Sequence, residues 1–287
     1  LHRDRLRGLI MELRDKVVVV TGGASGIGMG LCRRFREEQV RGLVIADLNG
    51  EAASTLAREL DAKSVELDVR DESAIAAMVA EAESEFGQID LFCSNAGVLD
   101  LDGGDYWASS SANEVWQRNW EIHVMAHIYA ARACLPSMTE RGEGYFLHTV
   151  SAAGLLSQPY TAAYATTKHA AIGFAESLAI THGDDGIRVS CLCPQGVDTA
   201  MLGGTDGGAA GLDGILGAPS MHVIEGMERE HVHCADSDLI FTTSNGMKTT
   251  SRDEFEFVVG QVPRGGAAAI ALRMVYRCEA GWVCQRF

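Results

Sequence analysis

Three patterns are missing from this chain of 287 residues. No two cysteines stand in C-x-x-C spacing, although eight are present (residues 32, 93, 134, 191, 193, 234, 278 and 284). That excludes a zinc ribbon and a dithiol redox pair. Lys and Arg never form a block and the net charge is −15, which argues against nucleic acid or an anionic membrane as a partner. No run of about 18 apolar residues occurs, so no spanning helix is expected. The stretch LHRDRLRGLIMELRDK at residues 1–16 is too charged for a signal peptide. A lone HVHC at 231–234 has no second cluster of ligands beside it, so no metal site is expected.

With 47% hydrophobic and 22% charged residues, the chain reads as a soluble globular protein with one large α/β domain. The cysteines sit mostly in apolar runs such as LFCSN and VSCLCP, as buried reduced thiols of a cytoplasmic protein would. Single nucleotides stay open as ligands, because backbone N–H groups can hold phosphate.

Short apolar runs alternate with helical patterns. Strands are expected at 16–22, 42–47, 64–69, 89–95, 144–151 and 187–194. Helices are expected at 26–39, 51–60, 72–86, about 114–135 (ended by Pro136) and about 160–182. Continuous apolar strands separated by helices imply a parallel sheet covered on both faces, a doubly wound Rossmann fold in three α/β/α layers.

Residues 1–10 read as an extension, with Met11 resembling a natural start. Residues 11–246 are expected to form the main domain, and 247–287 a C-terminal tail with no sustained period. Seven glycines in GGTDGGAAGLDGILGAPS (203–220) mark a substrate lid at about 200–220, the alternative being a linker. A helix over 220–231 and a strand over 238–246 are expected, and RGGAAAIALRMVYR (264–277) is the helix candidate of the tail.

The first strand runs into TGGASGIG, residues 21–28. Gly22 permits a tight turn, Gly26 lets the backbone approach a pyrophosphate, and Gly28 lets the helix pack on the strand. Asp47 ends the second strand, 19 residues beyond Gly28. A carboxylate there accepts hydrogen bonds from ribose hydroxyls and repels a 2′-phosphate. Neither Ser25 nor Leu48 offers a positive charge, so NAD(H) is preferred over NADP(H). Asp47 could instead cap the next helix, a task Asn49 can also perform.

These residues resemble a classical short-chain dehydrogenase/reductase over roughly 13–200. TGGASGIG matches that family's cofactor loop, with contacts implied at Gly22, Ser25, Gly26, Ile27 and Gly28. LDV resembles its adenine contact, Asp68 with Val69. SNAG matches the motif that steadies the central strand, Asn95 with Gly97. YATTK supplies Tyr164 and Lys168, and Ser151 stands thirteen residues before the tyrosine. CPQGVDT resembles the segment flanking the nicotinamide, implying Pro194, Gly196, Val197 and Thr199, with Gln195 in place of the usual glycine.

The chemistry agrees with the resemblance. A free tyrosine, with a pKa of about 10, is a poor base near neutrality. An ammonium group and an oxidised nicotinamide nearby would favour the phenolate and lower that pKa. Tyr164 would then remove the hydroxyl proton of an alcohol, Lys168 would also hold the nicotinamide ribose, and Ser151 would steady the substrate oxygen.

The family's fourth catalytic residue is an asparagine seven positions after a tryptophan. Counting from Trp116 lands on His123, while Asn119 lies a turn earlier and does not take the role. His123 could hold the water that serves the lysine, or relay the proton itself; otherwise it is a core residue.

The reading is an NAD-dependent oxidoreductase interconverting an alcohol and a ketone or aldehyde. Met201, Leu202, Leu212, Ile215 and Leu216 in the lid suggest a small, uncharged, fairly hydrophobic substrate. A catalytically weak NAD-binding sensor or structural protein is the alternative. The resemblance implies a homodimer or homotetramer packed through the two long helices.

Overall fold

The structure, a computed structural model, describes residues 11–155, 157–194, 199 and 201, and four short strands at 232–233, 254–256, 275–278 and 281–284. The chain divides into two compact units, one spanning Glu12–Pro194 and a second formed by the residues outside it. The domain expected from the sequence extended to 246.

In the first unit, β1 (Val17–Thr21), β2 (Gly42–Asp47), β3 (Lys63–Glu66), β4 (Leu91–Ser94), β5 (Gly144–Thr149) and β6 (Ile187–Leu192) form one sheet. The order is β3-β2-β1-β4-β5-β6, and every pairing is parallel. Burial explains why the central strands read as unbroken apolar runs. Val17 to Val20 are fully enclosed, because helices cover both faces of the sheet.

The helices are α1 (Gly26–Glu37), α2 (Gly50–Leu60), α3 (Glu72–Phe86), α4 (Asn113–Trp120), α5 (Ala126–Arg141) and α6 (Ala162–His182). Asn49 and Asp71 cap α2 and α3 through bonds of 3.0 Å from Ala52 N and Ala74 N. Phe92, Phe146, Met78 and Met138 fill the layer between the sheet and α3 and α5. Each such side chain contributes roughly 2 kcal/mol of burial.

The chain runs outward from β1 to β3 and then returns to place β4 on the other side of β1. This reversal opens a crevice at the carboxyl ends of β1 and β4, the usual ligand position in such sheets.

Two departures concern the helix expected over 114–135. It does not end at Pro136, which lies inside α5, and the helix continues to Arg141. The carbonyl deprived of its partner belongs to Arg132, and both residues face solvent, so water can replace the missing N–H. Between α4 and α5, residues Glu121–Met125 form a π-helical turn that carries His123 inward.

In the second unit, β7 (Val232–His233), β8 (Glu254–Glu256), β9 (Val275–Cys278) and β10 (Gly281–Cys284) form an antiparallel sheet in the order β10-β9-β8-β7. Residues 275–277, expected at the end of a helix, therefore lie in a strand. Their Val-Tyr pair favours that state. The extension 1–10, the lid at about 200–220 apart from Met201, the helix 220–231 and the strand 238–246 fall outside the described residues. No helix among the described residues is long and apolar enough to cross a membrane.

Candidate active site

The turn after β1 is shaped by glycine. Gly22 has φ +62 and Gly26 has φ +49, in the left-handed region that favours residues without a Cβ. A Cβ on Gly28 would stand 2.0 Å from the Gly22 carbonyl oxygen and 2.6 Å from Asn95 Nδ2. The start of α1 is thus packed directly on the end of β1. Ser25 precedes α1 in an extended conformation and its side chain makes no capping bond. Ile27, in the first turn, is half-buried.

Asp47 braces this turn from the end of β2. Its Oδ2 accepts the Ala24 N–H at 3.0 Å and its Oδ1 accepts the Asn49 N–H at 2.9 Å. Asn49 does the capping of α2, so Asp47 is not the cap. Asn95 reaches across from β4, donating from Nδ2 to the carbonyls of Thr21 and Gly22 at 3.1 Å each. Thr21 Oγ1 accepts the N–H groups of Asn95 and Ala96.

Asp68 is gripped by Arg70, whose Nε lies 3.0 Å from both carboxylate oxygens. The Arg70 bond holds its carboxyl below the usual range. Arg70 was not among the residues expected from the sequence. Val69 beside it is buried.

These residues fit a nicotinamide dinucleotide. Gly22 and Gly28 allow the tight strand-to-helix turn, and the N-terminal N–H groups of α1 are of the kind that hold phosphate. The Asp47 carboxylate at the end of β2 is of the kind that would accept from ribose hydroxyls. At Gly97, a Cβ would meet His123 Nε2 at 3.5 Å and Lys168 Nζ at 3.6 Å, so this glycine keeps the approach to the lysine open.

Tyr164 and Lys168 lie one turn apart on α6 and are buried, at 8% and 3% exposure. Ser151, just beyond β5, accepts the Ala153 N–H at 3.1 Å, and its side chain acts to lower the Tyr164 pKa. Lys168 Nζ donates to the Thr149 carbonyl at 3.1 Å and lies 5.5 Å from the Tyr164 ring centroid. Burial lowers the lysine pKa to about 8.

In the protein alone the Tyr164 pKa is raised, because burial outweighs the influence of Ser151 that lowers it. The lowering expected from the sequence concerns the protein with an oxidised nicotinamide bound.

His123 is fully buried in the π turn. Its Nε2 accepts the Val98 N–H at 3.1 Å, and burial together with the Lys168 charge holds its pKa well below the ordinary value. The neutral ring therefore carries its proton on Nδ1 and donates it to Thr167 Oγ1 at 3.0 Å. The Thr167 hydroxyl in turn bonds the carbonyls of Ala163 and Tyr164. The ring also packs edge-on against Tyr164. Both nitrogens expected to hold or relay for the lysine are already bonded to protein. Asn119, a turn earlier, is occupied with Asp100 and the Val115 carbonyl.

Asp102 is a residue that sequence reasoning missed. Thr161 makes no side-chain cap for α6. Asp102 Oδ1 instead accepts the Ala162 N–H at 2.9 Å from 60 residues away, together with the Ser111 hydroxyl at 3.2 Å. Its own N–H donates to the Tyr160 carbonyl at 2.8 Å. An isolated aspartate in a loop carries no spacing signal for such a role. Around this loop, Tyr106 and Tyr160 meet edge-to-face at 5.3 Å. They stand exposed with Leu101, Trp107 and Leu155.

Pro194 closes the first unit, its carbonyl accepting the Ala152 N–H at 2.8 Å. Thr199 is half-buried and Met201 exposed within the second unit. Gly196, Val197, Leu202, Leu212, Ile215 and Leu216 lie outside the described residues. Among the described residues no group of three or more His, Cys, Asp or Glu could hold a metal ion.

Comparison with known proteins agrees with this geometry. A family model described as short chain dehydrogenase matches residues 16–207. A 1-deoxy-11-beta-hydroxypentalenate dehydrogenase of Streptomyces exfoliatus is 37% identical over 200 residues, covering 68% of this chain and 72% of that protein. A 3beta-hydroxysteroid dehydrogenase 2 of Eggerthella lenta is 33% identical, covering 65% of this chain and 73% of that one. The crystal structure of a short chain dehydrogenase/reductase from Burkholderia phymatum in complex with NAD is similar at a TM-score of 0.63. It is 29% identical and covers 67% of this chain and 70% of that one. The chain belongs to the short-chain dehydrogenase family, oxidoreductases that interconvert alcohols and ketones with a nicotinamide dinucleotide.

Proposed function

We propose that the protein interconverts an uncharged, fairly hydrophobic alcohol and its carbonyl compound with NAD(H), Tyr164 acting as the acid/base. The observation that carries this reading is the buried set of Ser151, Tyr164 and Lys168 at the carboxyl edge of the sheet. When bound, the dinucleotide accepts or supplies the hydride.

The chain's own residues manage the oxygen and the proton. Ser151 orients the substrate hydroxyl toward Tyr164, whose oxygen takes the proton during oxidation and returns it during reduction. Lys168, a strong donor with a pKa of about 8, reaches both the ribose side and the proton path. His123 ties the loop after β4 to α6 and so positions the tyrosine. Asp47 favours NAD(H), since its carboxylate would repel a 2′-phosphate.

The exposed Leu101, Tyr106, Trp107, Leu155 and Tyr160 favour an apolar substrate. The names of the two relatives above, a hydroxypentalenate and a hydroxysteroid dehydrogenase, point to hydroxylated hydrophobic compounds. The free buried thiols of Cys32, Cys93 and Cys134 suit the cytoplasm. Exposed Trp120 and Ile180 on the long helices suit a homodimer or homotetramer packed through them.

The test is reduction of NAD+ with secondary alcohols that differ in charge and apolar area. We expect kcat/KM to rise with apolar area and to be higher with NAD+ than with NADP+. A preference for phosphorylated or carboxylated alcohols, or for NADP+, would overturn the reading.

A further inference from the structure

The adenine end of the cofactor crevice holds an ion pair that the chemistry above does not use. Asp47 closes β2, and the Leu67 N–H donates to its carbonyl at 2.9 Å, so residues 67–70 lie beside the residue proposed to hold the ribose. The adenine that follows the ribose therefore meets this segment. Val69 is buried there, while Leu48, next to Asp47, is 68% exposed, an apolar side chain that a base would cover.

Asp68 is the carboxylate on this segment, and Arg70 engages both its oxygens. Arg70 Nε donates to Oδ1 and Oδ2 at 3.0 Å each, Nη2 to Oδ2 at 2.6 Å, and the Arg70 backbone N–H to Oδ1 at 3.0 Å. A carboxylate offers about four acceptor positions, so this set leaves none over for a ligand. An adenine amino group, a donor, reaches Asp68 only by displacing the guanidinium. The Asp68 and Arg70 side chains are 34% and 44% exposed, so the pair stands where a ligand can meet it. Asp71 is no substitute, because it caps α3 and bonds Ser73. Glu121, at the start of the π turn, also acts on the Arg70 charge, though less than Asp68 does, and gives a displaced guanidinium a second carboxylate.

We propose that Arg70 competes with the adenine amino group for the Asp68 carboxylate and so sets the affinity of the protein for the dinucleotide. The inference rests on the NAD(H) reading above. The contest is between an exposed ion pair and a charge-assisted hydrogen bond. An exposed pair contributes little even in forked geometry, so the arginine weakens cofactor binding without excluding it. Both partners are charged, so the pair fades as salt rises. A simple cationic attraction for the pyrophosphate would act the other way, and removing Arg70 would then loosen the cofactor.

The test uses the full-length protein and fluorescence titration, with NADH and with its analogue that carries hypoxanthine in place of adenine. The analogue keeps the pyrophosphate and both riboses but presents a carbonyl where adenine has its amino group. Arg70→Met should tighten NADH binding roughly threefold at low salt, and this gain should shrink at about 0.5 M salt. The analogue should gain nothing. In the Asp68→Asn background Arg70→Met should also gain nothing, since the contested carboxylate is gone.

Unchanged or weaker NADH binding by folded Arg70→Met would overturn the proposal, as would an equal gain for the analogue or in the Asp68→Asn background. Arg70→Gln repeats the test if the methionine variant folds poorly. A wild type that binds neither dinucleotide would overturn the NAD(H) reading itself, and the competition with it.

Discussion

The His123 imidazole and the Thr167 hydroxyl meet at 3.0 Å and join the π turn to the helix that carries Tyr164. The other ring nitrogen holds the Val98 N–H, so the histidine connects three segments at once. His123→Phe would leave a buried N–H and a buried hydroxyl without this partner, a loss of roughly 2–3 kcal/mol. Denaturant unfolding measures it. The pH profile of the surviving activity should match the wild type between pH 5 and 8, because the ring does not titrate there. A lost ionisation in that range would show that the ring itself relays protons.

Asp102 caps α6 from a distant loop, two residues before Tyr164. Asp102→Ala should cost about 1–2 kcal/mol, the usual loss of an N-cap, and lower kcat by loosening the tyrosine. Asp102→Asn keeps an acceptor and should retain most of both. If alanine changes neither stability nor kcat, the cap is not positioning the helix.

Lys168 has a folded pKa of about 8 against an ordinary value of 10.5. Between these values the unfolded chain binds more protons, so the lysine's destabilising effect is full below pH 8 and fades as pH rises toward 10.5. Lys168→Met should therefore stabilise the protein without cofactor at pH 7, by at most about 3 kcal/mol. Loss of the bond to Thr149 offsets part of this gain. The gain should shrink on moving to pH 10. The Cys191 and Cys193 thiols that face the lysine are raised by burial, Cys193 to about 11, and stay protonated through most of the window. Unfolding curves across pH check the trend, and a pH-independent difference would contradict it.

Asp47 links the cofactor turn to β2 through the Ala24 N–H. Asp47→Ala should weaken NADH binding roughly tenfold, about 1.4 kcal/mol, while narrowing the preference over NADPH. Fluorescence titration with both cofactors reads the change. An unchanged preference would remove Asp47 as its source.

Much of the sheet was legible because β1, β2, β4 and β5 are buried on both faces, which forces unbroken apolar runs such as Val17 to Val20. The glycine turn and Tyr164 with Lys168 were legible because their chemistry depends on local spacing. The continuation of α5 through Pro136 was not, since it depends on the solvent exposure of Arg132. The role of His123 was hidden for a related reason. Its partners, Val98 and Thr167, lie on other segments, and nothing in the spacing around Trp116 shows that both nitrogens are taken. Asp102 reaches Ala162 across 60 residues, beyond any local pattern.

The central claim is that Tyr164 moves the substrate proton. Its most direct test is NADH formation from one secondary alcohol by wild type and Tyr164→Phe, with the Kd for NADH measured in parallel. The account predicts an active wild type and a variant slower by about 10²–10⁴ at unchanged Kd. Equal rates at equal cofactor affinity would contradict it.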